Sequence, residues 1–134
     1  MKIITRMLSD EVYEAVNENS NKVTIDTRKV EERQNQSPTE LVLSALAACG
    51  AVDIVLMLKK RKKAVQGLVI ETNGTRREEA PRFFTAIHCH YILTSSDATE
   101  EEFQKIAQLA LDKYCSVASS LKSKVTFSVS VKRT

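Results

Sequence analysis

The 134-residue sequence carries 20 Lys+Arg against 17 Asp+Glu, a formal net charge of +3, with 43% hydrophobic residues and three cysteines. That length supports one domain, residues 1–134, around a single core; the mild charge excludes the protein-wide positive field of a dedicated nucleic-acid binder, and an odd number of cysteines excludes a structural disulfide framework. The N-terminus, Met1-Lys2-Ile3-Ile4-Thr5-Arg6, lacks the continuous apolar region and small-residue cleavage site of a signal peptide, which sets the expectation of a cytoplasmic protein whose cysteines are core thiols or chemistry.

Lys2–Leu8, Glu11–Asn17 and Lys22–Asp26 are short segments with β-branched residues, separated by the turn-forming clusters Ser9-Asp10 and Asn19-Ser20-Asn21. They predict an antiparallel meander. Thr27–Gln36 is polar and highly charged without periodicity, which predicts a loop and the segment of the chain most prone to disorder.

The stretch from Ser37 to Lys63 predicts one long helix. Ser37 stands at the N-cap, Pro38 at the first helical position, and Glu40 supplies the acid of a capping box. Lys59–Lys63 closes the helix with cations where its dipole favours them. Between Leu41 and Leu58 only Ser44, Gly50 and Asp53 interrupt the apolar residues, so the helix is hydrophobic nearly all round and is expected to be buried. A membrane span is the rival reading by length, opposed by the carboxylate of Asp53 near its middle. The expectation is therefore a core helix and no membrane.

Val65–Thr72 predicts a strand, and Asn73-Gly74 a hairpin turn with positive φ at both residues. After Pro81 comes the longest strand. A period of two places Phe83, Thr85, Ile87, Cys89, Tyr91 and Leu93 on one face and Phe84, Ala86, His88, His90 and Ile92 on the other. Thr99 and Glu102 form a second capping box, and Phe103, Ile106, Ala107, Ala110, Leu111 and Tyr114, continuing to Val117, Ala118 and Leu121, hold helical spacing. Val125, Phe127, Val129 and Val131 alternate with Thr126, Ser128 and Ser130 as a half-buried strand. The predicted order is βββ-α-ββ-α-β, an α+β fold with two long helices packed against sheet.

Cys49 and Cys115 both fall on predicted helices, 66 residues apart, among small residues that leave room beside a sulfur. Buried thiols acting as small hydrophobes explain that pattern as well as reactive ones do. Reactivity requires ionisation, which a mid-helix thiol at Cys49 gains only from a cation outside its own helix. Glu40 stands nine residues before Cys49, on the opposite side of the helix and roughly 13.5 Å along its axis. His88 and His90 share a strand face, yet two imidazoles are too few ligands for a metal site and the chain holds no third histidine. No metal and no cofactor is expected.

Ser37-Pro38-Thr39-Glu40-Leu41 with Ala47-Ala48-Cys49, followed by Lys113-Tyr114-Cys115-Ser116-Val117-Ala118, resembles the OsmC/Ohr family of osmotically inducible and organic-hydroperoxide-resistance proteins. The segment Arg76-Arg77-Glu78-Glu79-Ala80-Pro81-Arg82-Phe83-Phe84-Thr85 is similar to its YhfA-like branch. The resemblance implies an OsmC-like fold in an intertwined homodimer with active sites at the dimer interface. It implies a thiol-dependent peroxidase for organic or hydrogen peroxides, a stress-response activity in which Cys49 becomes a sulfenic acid, Cys115 resolves it as a disulfide, and a dithiol reductant restores the pair. The family's acid ten residues before the first cysteine is Thr39 here, with Glu40 shifted by one. Its N-terminal arginine has no counterpart at residues 14–18, which leaves Arg82 as the candidate cation, with Arg77 and Arg28 as alternates. The alternative function is a non-catalytic dimeric protein of the same fold that binds an apolar or electrophilic ligand in the same cleft.

Overall fold

In the computed structural model, which describes all 134 residues, contacts divide the chain into two units, residues 1–42 and 43–134. The first unit opens with strands β1 (Ile3–Ser9), β2 (Val12–Asn17) and β3 (Lys22–Asp26), paired antiparallel in that order. This is the predicted meander. Its two turns place Glu11 and Ser20 at φ 64° and 66°. In the second, the side-chain oxygen of Asn17 accepts from the backbone N–H groups of Asn19 and Asn21, the local hydrogen bonding that makes Asn a turn residue.

The segment expected to be disordered, Thr27–Gln36, is instead wound around the buried carboxylate of Asp26. Arg28 donates to its two oxygens at 2.8 and 2.6 Å, and the backbone N–H groups of Gln34 and Asn35 add bonds of 2.9 and 3.3 Å. The Arg28 guanidinium holds the Asp26 carboxyl well below the usual carboxylate range against the opposing effect of burial. A polar sequence without periodicity gave no hint of this order, because it comes from one charge shared by groups up to nine residues apart.

Helix α1 (Pro38–Lys60) begins within the first unit and continues through the second. Its capping box is formed as predicted: the Ser37 N–H donates to Glu40 Oε1 at 2.9 Å, and the Glu40 N–H to Ser37 Oγ at 3.3 Å. It stops three residues earlier than expected, because Lys62 adopts φ 59° and the Lys62 and Lys63 N–H groups turn back to the carbonyls of Lys59 and Leu58, a Schellman-type end. Nor is it buried all round: Leu46, Gly50, Ile54 and Leu58 are buried, whereas Val52 and Leu56 are 59% and 57% exposed. By length and composition alone α1 is also long and apolar enough to cross a membrane.

The second unit continues with strands β4 (Gly67–Arg76), β5 (Phe84–Thr94) and β6 (Lys124–Lys132), in sheet order β4-β5-β6. β4 and β5 are antiparallel; β5 and β6 are parallel and therefore need a crossover. That crossover is helix α2 (Glu100–Leu109), a π-type turn over Ala110–Tyr114, and the short helix α3 (Ser116–Ser120). The capping box at Thr99 and Glu102 is formed as predicted. The predicted single helix is broken, however, at Cys115, whose backbone is extended at φ −74°, ψ 103°.

Two further expectations fail for one reason. Asn73-Gly74 is not a turn but lies within β4, opposite His88 and Ile87, and no glycine has positive φ. Gly74 is required there because the Phe84 ring fills the place of its missing side chain, with Leu43 Cδ2 3.1 Å from the position a Cβ would take. A bulge between Thr75 and Arg76, opposite Ala86 and Phe84, shifts the register and reverses side-chain parity. Phe84 is thus buried, and Thr85 is exposed, the opposite of the uninterrupted alternation. From Ile87 to Leu93 the predicted faces hold: Ile87, Cys89, Tyr91 and Leu93 are buried.

Candidate functional site

The site is built from α1, the broken crossover and the inner face of β5, all within residues 43–134. Cys49 is half-buried on α1 and Cys115 is fully buried at the break, both as free thiols. The two thiols are near enough for Cys49 to act electrostatically on Cys115. Thus the two cysteines singled out by sequence are brought together, although neither their spacing nor helical periodicity requires it.

The break determines how Cys115 is presented. An uninterrupted helix would direct its backbone N–H four residues back; here that N–H bonds to the Ala110 carbonyl at 2.8 Å, closing the wider π-type turn. Cys115 then caps α3, and its Sγ accepts from the Ala118 N–H at 3.4 Å. Burial pushes the Cys115 thiol up, the Ala118 N–H opposes this, and the neighbouring Cys49 sulfur pushes it up further. The Val117 N–H also opposes the effect of burial.

Beside this pair lies a second layer, on the face where the alternation along β5 places Cys89. Cys89 is fully buried, and burial raises its thiol, with the hydroxyls of Tyr91 and Thr72 close enough to oppose that rise. Neither hydroxyl completes a hydrogen bond. Tyr91 packs its ring 6.3 Å from that of Phe127 and its hydroxyl against Gly50, the residue after Cys49. Only the alternation placing Tyr91 on the Cys89 face pointed to this residue.

The remaining candidates are engaged in local contacts. Glu40 is engaged in the α1 cap, with Arg33 Nη1 at 3.7 Å; the Ser37 backbone N–H, then its side chain, holds the Glu40 carboxyl below its ordinary value. Arg82 lies in the β4–β5 hairpin, where its Nε donates to the Arg77 carbonyl at 3.3 Å and its own carbonyl accepts from Arg76 Nε at 2.8 Å. Arg77 pairs with Glu79 at 3.4 Å and stands 5.1 Å over the Phe83 ring, while Arg28 is committed to Asp26. His88 and His90 bond through their ring nitrogens to Thr126, Ser128 and Ser130 on β6, and no group of three or more metal-ligating side chains is present. An apolar groove of about 530 Å³ is lined by Asp53, Leu56, Met57, Lys59, Lys60 and Tyr114. It includes Asp53, one helical turn beyond Cys49, and Tyr114, the neighbour of Cys115.

The chain is thus an α+β protein that crosses between parallel strands through a helix broken at one cysteine, with a second cysteine of a long helix close by. The chain belongs to the OsmC-like family, whose model matches residues 31–130. It is 40% identical over 89 residues to Protein YhfA of Escherichia coli (strain K12), and spans 66% of that relative's length with 66% of its own. The crystal structure of an OsmC-like protein from Mycoplasma pneumoniae superposes with a TM-score of 0.82 at 20% identity, over 98% of this chain and 95% of that one. The organic hydroperoxide resistance protein OhrB of Bacillus subtilis superposes with a TM-score of 0.64 at 15% identity, over 98% and 96%. At these identities the two structures speak for the fold alone.

Proposed function

We propose that the chain is a thiol-dependent peroxidase for organic hydroperoxides or hydrogen peroxide, with Cys49 as the attacking thiolate and Cys115 as the resolving thiol. The observation that carries this reading is the proximity of two free thiols, one half-buried on α1 and one buried at the break in the crossover. Attack of the Cys49 sulfur on the O–O bond leaves a sulfenic acid on Cys49 and releases the alcohol, or water from hydrogen peroxide. Condensation with the Cys115 thiol then forms the S–S bond and releases a molecule of water. A dithiol reductant returns two electrons and two protons to the pair. Arg82 is assigned the activating cation, and Glu40 the role of the family acid shifted by one position.

The assembly belongs to the same reading. A second copy of the chain would cover the apolar side of α1 around Val52 and Leu56, and the β1 residues Ile3, Ile4, Met7 and Leu8, all more than half exposed in the single chain. Single exposed apolar residues are ordinary; several on one strand are not.

The deciding experiment is a titration with one equivalent of cumene hydroperoxide, read by intact mass and peptide mapping. The wild type should lose two hydrogens and yield a Cys49–Cys115 disulfide. Cys89→Ser should behave like wild type, and Cys115→Ser should leave a sulfenic acid on Cys49 that dimedone traps. A Cys49→Ser variant that still consumes peroxide would refute the assignment in favour of the ligand-binding alternative.

A further inference from the structure

We infer that the hairpin joining β4 to β5 is a binding site for a diphosphate group, free or carried on a nucleotide, held by the guanidinium forks of Arg76 and Arg82 with Lys122 beside them. Such binding needs neither Cys49 nor Cys115, and of the segment Arg76–Thr85 the peroxidase reading uses Arg82 alone.

Two arginines of this hairpin are fixed without being neutralised. Arg76 Nε donates to the Arg82 carbonyl at 2.8 Å, and Arg82 Nε donates to the Arg77 carbonyl at 3.3 Å. Each guanidinium is thereby tied to the backbone by one edge, and none of the chain's ion pairs includes Arg76 or Arg82. Carboxylates are at hand in the same hairpin, yet Glu79 is spent on Arg77 at 3.4 Å and Glu78 enters no ion pair. A further pair of cations is gathered on Phe83, which is only half-buried. The Lys122 Nζ stands 3.7 Å and the Arg77 guanidinium 5.1 Å from the centre of its ring, within cation–π range. Four cations thus converge where two carboxylates are available. Their mutual repulsion opposes this arrangement, and a merely solvated arginine would keep the rotamer freedom that Arg76 and Arg82 give up to backbone carbonyls.

An anion removes both objections. A guanidinium presents its N–H groups as a rigid fork that matches two oxygens of one phosphoryl or carboxylate group, and fixing it beforehand lowers the cost of ordering it on binding. Two forks suit two linked phosphoryl groups, one to each. The compact ammonium of Lys122 adds a point charge of the kind that phosphate sites use. Because Phe83 already carries Lys122 and Arg77, its ring serves to hold cations in place. In a single-stranded nucleic-acid site, by contrast, aromatic faces are left free for bases to stack on. The hairpin therefore suits a small polyanion better than a nucleic-acid strand.

The test is isothermal titration calorimetry on the full chain at low ionic strength, with pyrophosphate, ADP, sulfate and malonate as titrants. The variants are Arg76→Gln, Arg76→Lys and Lys122→Gln; Arg82, which the peroxidase reading also uses, stays in place. Pyrophosphate should bind about tenfold or more tightly than sulfate or malonate. Loss of a charge-assisted contact in Arg76→Gln should weaken pyrophosphate binding by about tenfold, and Lys122→Gln should weaken it severalfold. Arg76→Lys keeps the charge but not the fork, so it should weaken binding nearly as much as Arg76→Gln. ADP bound more tightly than pyrophosphate supports the site with a nucleotide as carrier, and ADP bound no more tightly supports it with the free diphosphate. Sulfate or malonate binding as tightly as pyrophosphate, full affinity in Arg76→Lys, or no heat from pyrophosphate at millimolar concentration would overturn the inference.

Discussion

Replacement of Gly74 by alanine tests the register on which the inner face of the second unit depends. The new Cβ would fall within the Phe84 ring and 3.1 Å from Leu43 Cδ2, so a buried aromatic, not a flexible surface chain, would have to move. Overpacking of this kind costs about 1–3 kcal/mol, offset by roughly 0.5–1 kcal/mol for removing a glycine from a strand interior. The net loss is about 1–2 kcal/mol, which for a chain of this length lowers the melting temperature by roughly 4–8 °C. Differential scanning calorimetry at fixed protein concentration reads it. A double-mutant cycle with Phe84→Ala isolates the cause: Phe84→Ala alone leaves a cavity over Gly74, and the alanine methyl partly fills it, so the double variant should be more stable than the sum of the single losses. A Gly74→Ala protein that melts with the wild type, or costs that simply add, would refute the claim that Phe84 occupies this space.

Other consequences follow from the same contacts. Gly50→Ala should change stability little in the wild type, where the Tyr91 oxygen opposes the methyl, but stabilise a Tyr91→Phe background by roughly 0.5–1 kcal/mol, read by urea unfolding; equal effects in both backgrounds would remove the Gly50–Tyr91 contact. The folded Asp26 carboxyl is depressed, first by Arg28, so its contribution is fully present above the ordinary carboxylate value and lost as pH falls through the folded one. Asp26→Asn should therefore expose the 27–36 segment to trypsin at Lys29 and Arg33 at neutral pH, and digestion as slow as that of the wild type would contradict the loop's dependence on this charge. Arg82→Met should slow iodoacetamide modification of Cys49 at neutral pH severalfold, and an unchanged rate would remove Arg82 as the activating cation. Light scattering at micromolar concentration should give twice the chain mass, and a folded monomer would sink the assembly proposal.

Local rules carried much of this protein. Ser37 with Glu40 and Thr99 with Glu102 announce two helix starts because a capping box is satisfied by residues three apart. The meander follows from β-branched runs between Asn- and Ser-rich turns, and the half-buried β6 from strict alternation, since side-chain direction in a strand depends only on a residue's parity. The two cysteines were picked out by their small neighbours and by the motifs around them. What local rules missed has a common cause. The order around Asp26 needs a guanidinium and backbone N–H groups to converge on one carboxylate. The place of Gly74 within a strand, and the inward turn of Phe84, depend on a bulge that only pairing with another strand defines. The long apolar helix was expected to be covered on every side, but periodicity reports which residues avoid water, not whether the same chain supplies the cover. The break at Cys115 interrupts a run whose helical spacing continues through Leu121, and it is this break that makes the Cys115 sulfur the cap of α3. A contact between residues 66 apart in sequence is decided by how α1 and the crossover pack on β5, an arrangement that no spacing along the chain encodes.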